Sequence, residues 1–335
     1  MGAKSFSDEQ LAGQRLMVGF DGTTFNQDLE YLIGVLGIGG LILFARNLIN
    51  PDQIKNLCIN IQDYAKTCNL PPMLIAIDQE GGTVARLKKP FTQFPGNSNM
   101  RGQEDAAAFA ETTAHELKQI GVNMNMAPVL DVVPENFAGV MAARSFGSDP
   151  AFVASMGQTV IEHLQKNNIM AVAKHFPGIG RTKLDSHLQL PDLDTDLAQL
   201  QEYDLIPFEA AAMQGVAGIM LSHIRYLKID PFWPASLSYI IAKKILRDQM
   251  GYKGVVITDD LDMGAIKKHF NIATVIQQIL SAEVDIALIC HKGPDIENAH
   301  NSILNIIKNN AGLKSRCLIS VSRILALKHA PCHAN

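Results

Sequence analysis

Short apolar runs recur along this chain at regular intervals, each bounded by turn-forming residues and followed by a longer stretch with helical spacing of its apolar positions. Eight runs of about five to seven residues stand out: RLMVGF (15–20), GLILFA (40–45), MLIAID (73–78), VNMNMAP (122–128), AVAKHF (171–176), GIMLSH (218–223), GVVITD (254–259) and DIALIC (285–290). They are continuously apolar and do not alternate strictly with polar residues, as expected of parallel strands covered by helices. Between them lie amphipathic segments such as PDQIKNLCINIQDYAKTC, with Pro51 at its start, and DPAFVASMGQTVIEHLQKN, with Asp149 as N-cap and Pro150 at the first helical position. Two further helical stretches, 293–310 and 314–328, close the series. Eight strand–helix units in sequence predict an α/β fold, a (β/α)8 barrel occupying residues 1–335 as a single domain. No Pro/Ser-rich linker or shift in composition divides the chain.

Such a barrel collects functional side chains at the C-terminal ends of its strands. Those positions here are Asp21, Arg46, Asp78, Asp131, Lys174, His175, His223, Asp259, Asp260, Cys290 and His291. A packed barrel interior has no use for so many ionisable groups, so their concentration at one end predicts an active site there.

Composition narrows the partners. The chain has 335 residues, 47% of them hydrophobic and 19% charged, with a formal net charge of -4. That suits a globular protein, and no block of basic residues offers a track for nucleic acid. The N-terminal MGAKSFSDEQLAGQRLMVGF has polar residues where an export signal would carry its apolar core, and Phe6 breaks a myristoylation pattern. The longest apolar run, YLIGVLGIGGLILFA, falls short of a membrane span. Five cysteines, at 58, 68, 290, 317 and 332, form no C-x-x-C pair, which argues against a disulfide framework and a structural zinc site. The expectation is a soluble, cytoplasmic monomer without metal or cofactor, acting on a small molecule and not on nucleic acid or membrane.

The most specific segment is AVAKHFPGIGRTKLDSHLQLP, in which Lys174 and His175 end the fifth strand and a Pro/Gly-rich loop presents Asp185, Ser186 and His187. K-H-F-P-G-x-G followed by D-S-H resembles the signature of glycoside hydrolase family 3, in particular its β-N-acetylglucosaminidase branch of bacterial peptidoglycan recycling. IDQEGGTVARL (77–87), MAPVLDV (126–132), ARSFGSDP (143–150) and VVITDDLDM (255–263) extend the resemblance over almost the whole chain. It implies a retaining hydrolase without cofactor, acting on terminal β-linked N-acetylglucosamine, with a carbohydrate or muropeptide such as GlcNAc-1,6-anhydroMurNAc as substrate. It assigns Asp259 as nucleophile, His187 as acid/base, and Asp78, Arg86, Arg144, Lys174 and His175 to substrate binding.

The residue chemistry agrees. An Asp two positions before a His can accept its imidazole N–H and support the protonated form, which makes Asp185 and His187 a credible proton-transfer pair. Asp260 rivals Asp259, because successive strand residues point in opposite directions and only one should face the sugar. Asp131 and His223 read as groups that contact substrate or orient those that do. Departures from the family pattern are Ile179, where a second His is usual, Thr83, where Arg often follows E-G-G, and the MAAR that precedes SFG. These 335 residues show no sandwich-domain pattern beside the barrel to supply an acid/base carboxylate, and the resemblance implies that the D-S-H loop supplies that function.

A histidine acid/base avoids repelling an anionic acceptor, so a phosphorylase on the same fold is the nearest alternative. Other classes are a Schiff-base aldolase using Lys174, a metal-dependent amidohydrolase using Lys174, His223 and His291, and a non-catalytic sugar-binding barrel. The first strand lacks the H-x-H that the metal site needs, and a mere binding barrel should lack Asp259 or His187.

Overall fold

The computed structural model of the chain describes residues 2–182, 186 and 189–329. Its eight apolar runs form strands β1 (Leu16–Val18), β2 (Gly40–Leu43), β3 (Leu74–Ile77), β4 (Met124–Asn125), β5 (Met170–Phe176), β6 (Gly218–Leu221), β7 (Val255–Asp260) and β8 (Ile286–Ile289). Every neighbouring pair is parallel, and β8 returns to pair with β1, closing the barrel. The fold is the expected (β/α)8 barrel.

β4 is the shortest strand, because Pro128 offers no backbone N–H to the ladder. The chain nevertheless stays extended beside β5: Val172 N donates to Ala127 O and Leu130 N to Lys174 O, at 3.0 and 2.7 Å. The predicted helices form as Pro51–Thr67, Pro150–Lys166, Pro294–Asn309 and Ala311–His329. The side chain of Asp149 accepts from Ala151 N and Pro150 opens its helix, so both end signals act as read.

Alternate residues on each strand serve two apolar layers. Leu16, Val18, Leu41, Leu43, Ile75, Ile77, Ile219 and Leu221 face outward into the helices. Met17, Ile42, Leu74, Met124, Met170, Val172, Met220, Ile257 and Leu288 fill the interior, where Ile324 of the last helix joins them. Both layers are buried, which is why the strand sequences read as continuous apolar runs.

The two ends of the barrel carry charge differently. At the end where strands begin, Asp285 is fully buried: its Oδ2 accepts from Val256 N at 2.9 Å and Arg247 at 2.5 Å, and its Oδ1 from Arg323 at 2.9 Å. Arg15, also buried, donates to the carbonyls of Val284 and Asp285 and so ties the start of β1 to the start of β8. At the other end, charged side chains surround an open cavity. Among the described residues no helix is long and apolar enough to cross a membrane.

Candidate active site

The cavity at the C-terminal ends of the strands has a volume of about 290 Å³ and is floored by Ile42, Met220 and Leu288. Its polar wall comes from three places. After β3, a small ribbon pairs Gln79–Gly81 with Val84–Ala85 and puts Asp78, Glu80 and Arg86 at the mouth. The end of β5 supplies Lys174 and His175, and the loop after β4 supplies Arg144.

These groups form one ion cluster. Lys174 Nζ lies 2.8 Å from Asp78 Oδ1 and 2.6 Å from Glu80 Oε1, with side-chain exposures of 3% for Lys174 and 2% for Glu80. Arg144 grips Glu80 with both Nε and a terminal nitrogen, at 2.9 and 2.8 Å, while Arg86 meets Asp78 Oδ2 at 3.1 Å. Burial alone would push the two carboxyls up, but the adjoining Lys174 and arginines outweigh it and hold Asp78 and Glu80 below their usual range. Lys174 is the mirror case: burial would lower it, yet its two carboxylate partners raise it. It is therefore an ammonium at neutral pH and no free amine for a Schiff base, which counts against the aldolase alternative. Arg86 also sits over the Phe44 ring, 5.3 Å from its centre.

His175 is oriented from behind. Its Nδ1 is 2.7 Å from Asp131 Oδ2, and fully buried Asp131 also accepts from Ile179 N at 2.7 Å. Asp131 thus positions the ring and the loop start beyond it, the orienting role its sequence position left open. His223 is engaged on both nitrogens: Nε2 donates to the Asp260 carbonyl at 2.9 Å, leaving Nδ1 to accept from Ser236 at 2.7 Å. Burial lowers its pKa, and with both ring nitrogens engaged it is a poor metal ligand.

Asp259 and Asp260 divide along the lines of the strand. The register between β7 and β8 shifts after Ile257, and side chains take over the ladder there. Thr258 Oγ1 accepts Leu288 N at 3.0 Å, and Asp260 Oδ1 accepts both Cys290 N and Asp262 N, at 2.9 and 3.0 Å. Both aspartates border the cavity, so strict alternation was too simple an expectation. Burial pushes Asp260 up to about 6, against those amide bonds. For Asp259 burial also acts upward, but the facing His223 and His175 prevail and hold it below the ordinary carboxylate range. Its Oδ1 accepts Asp260 N at 2.8 Å, while Oδ2 accepts no hydrogen bond among the described residues. Asp259 is an ionised carboxylate with one oxygen available to the cavity.

Asp185 and His187 lie outside the described residues, as do Lys183, Leu184 and Leu188. The other six predicted site residues, Asp78, Arg86, Arg144, Lys174, His175 and Asp259, line the same cavity. Glu80 is the member that sequence reasoning missed. Its signal was present, since it stands two residues after Asp78, the spacing that puts neighbours on one side of an extended chain. Asp260, Asp262 and His291 bring possible metal-ligating atoms within 4.8 Å of one another. Lys267, 2.8 Å from Asp262, already supplies positive charge there.

A closed parallel barrel whose strand ends surround a polar cavity with an ionised carboxylate has the architecture in which barrel enzymes place their active sites. Residues 8–327 match the model of the glycosyl hydrolase family 3 N terminal domain, and the chain belongs to this family. It is 36% identical over 287 residues to a Pseudoalteromonas piscicida protein named beta-hexosaminidase A, covering 80% of this chain and 48% of that one. The chain thus spans about half the length of that relative. A Neisseria gonorrhoeae beta-hexosaminidase is 38% identical over 276 residues, covering 77% of this chain and 73% of its own. Among solved structures, a family 3 beta-N-acetylglucosaminidase from a Paenibacillus species superposes with a TM-score of 0.93 at 34% identity, over 99% of this chain and 64% of that one. The beta-N-acetylhexosaminidase of Beutenbergia cavernae gives 0.91 at 28% identity, over 97% and 99%.

Proposed function

We propose that this chain is a retaining β-N-acetylhexosaminidase that releases terminal, non-reducing β-linked N-acetylglucosamine. The observation that carries the reading is Asp259, a partly buried, ionised carboxylate whose free oxygen borders a sugar-sized cavity. Asp259 Oδ2 attacks the anomeric carbon while His187 protonates the departing glycosidic oxygen, leaving a covalent glycosyl–Asp259 ester. His187, supported by Asp185, then takes a proton from water, which attacks the same carbon and frees Asp259. Two inversions give net retention.

The ion cluster binds the sugar. Lys174 spends two of its three donors on Asp78 and Glu80 and keeps one for a hydroxyl. Each Asp78 oxygen carries one cation and retains a lone pair for a sugar O–H. Arg86, Arg144 and His175 complete the contacts, and Glu80 holds Lys174 and Arg144 in register. No cofactor or metal enters these steps. The aglycone is a 1,6-anhydromuramyl unit of a muropeptide, in keeping with the family branch that the D-S-H loop resembles. The chain works as a cytoplasmic monomer in peptidoglycan recycling, within one catalytic domain.

Hydrolysis of a chromogenic β-N-acetylglucosaminide beside the matching β-glucoside tests the reading, for wild type, Asp259→Ala and His187→Ala. Preference for the N-acetyl sugar with both variants impaired supports it, whereas full activity in Asp259→Ala overturns it. Added phosphate that changes rate and product would move the assignment to a phosphorylase.

A further inference from the structure

The D-S-H loop leaves the barrel through Gly178, Ile179 and Gly180, and the chain there lies flat against its neighbours. A Cβ on Gly180 would fall 1.9 Å from Val132 O. One on Gly178, whose φ is +123°, would fall 2.7 Å from Asp204 Cβ. Tyr226 Oη holds Gly178 O at 2.8 Å, and Asp131 holds Ile179 N at 2.7 Å. Arg181 follows at once, and its guanidinium pairs with Asp204 and reaches Thr195 Oγ1 at 3.2 Å. Asp204 is fully buried, at the end of the Leu200–Asp204 turn, and the Arg181 side chain is 26% exposed.

This pair is an expensive way to stabilise a fold. Arg181 Nε, Thr182 Oγ1 and Asp204 Oδ1 are all buried without a hydrogen-bond partner among the described residues. A buried ion pair with unsatisfied atoms contributes little net stability, and its use lies in fixing one geometry over others. What it fixes is the chain four residues before Asp185 and six before His187. On the far side, Ser186 O accepts Ala265 N at 3.1 Å, so the loop is also tied to the segment after β7.

We propose that Arg181 and Asp204 are positioning residues for the acid/base: their pair sets the point from which Asp185 and His187 extend, and so governs proton delivery to the leaving group. The proposal rests on the reading of His187 as acid/base. Neither residue lines the sugar cavity, so sugar binding should stay intact when the pair is broken.

The test compares two substrates of the purified full chain. A 2,4-dinitrophenyl β-N-acetylglucosaminide has a leaving group that departs without protonation, while N,N′-diacetylchitobiose needs a proton on the glycosidic oxygen. Arg181→Gln and Asp204→Asn should each lower kcat/KM on the disaccharide by about 10- to 100-fold and on the dinitrophenyl substrate by less than about 3-fold, part of what a general acid supplies. Arg181→Lys should recover much of the loss. Equal losses on both substrates, or none, would overturn the proposal. Arg181→Gln, at a half-buried site, keeps the test available if Asp204→Asn fails to fold, and thermal melts verify folding. His187→Ala run alongside separates the two claims: if it shows no leaving-group dependence, the acid/base reading fails, and if it does while Arg181→Gln does not, only the present inference fails.

Discussion

The barrel buries a cluster of opposite charges at each end, and the two clusters differ in what they leave unfinished. Around Asp285, Arg247, Arg323 and a backbone amide engage both oxygens of a carboxylate that is sealed from solvent. Around Asp78 and Glu80, three cations meet two carboxylates, and Lys174, Asp78 and the free oxygen of Asp259 still face a cavity of about 290 Å³. A completed cluster specifies structure, while one with bonds left to make waits for a ligand.

Substitutions should separate the two ends cleanly. The largest effect belongs to Asp259→Ala, which should lower kcat on the order of 10⁴-fold or more, about 5.5 kcal/mol or beyond, with a melting temperature unchanged or raised. Substantial residual turnover would remove Asp259 from the chemistry. Asp285→Asn should do the opposite. Leaving buried Arg247 without its counter-charge, and Arg323 with only Glu283 at 3.8 Å, should cost about 3–5 kcal/mol in denaturant unfolding, while kcat per folded molecule holds. A fall in kcat with intact stability would erase the contrast between the ends.

Glu80→Gln probes the border between the two kinds of cluster. It removes the charge that holds Lys174 and Arg144, and kcat/KM should drop about 10²-fold through misplaced sugar contacts. The same cluster sets an acid limit. Asp78 and Glu80 have folded pKa values below their unfolded ones, so their stabilisation is full above pH ~4 and is lost as pH falls through the folded values. Acid melts of Asp78→Asn should therefore show a shallower decline than wild type below pH ~4. At the small end stands Lys243→Ala, which breaks a surface pair with Asp248 and should shift stability by no more than about 0.5 kcal/mol.

The strands and the long helices were legible because their signals are local: an apolar run, an N-cap, a proline at a first turn. Most of the mouth was legible too, since a strand's last residues fix where a side chain goes, as for Asp78, Lys174 and Asp259. Glu80 escaped notice despite its two-residue spacing from Asp78, since it takes the pairing of Gln79–Gly81 with Val84–Ala85 to hold its carboxylate over Lys174. The pairing of Asp131 with His175 spans 44 residues and that of Asp285 with Arg247 spans 38, with no motif linking either couple. Partners chosen by the closure of the barrel leave no trace in local spacing. The division between Asp259 and Asp260 needed the register shift after Ile257, which strict two-residue alternation does not contain.

The bond from Arg15 to Val284 joins residues 269 apart, and β1 finds its second neighbour only in β8. On a ribosome adding roughly 5–20 residues each second, one edge of β1 waits on the order of 10–50 s for that neighbour to emerge. During that interval the nascent chain carries an open, apolar sheet edge of the kind that recruits other chains. Slower elongation lengthens the exposure, so the yield of native protein should depend on how fast the chain is made and on how many copies are being made side by side.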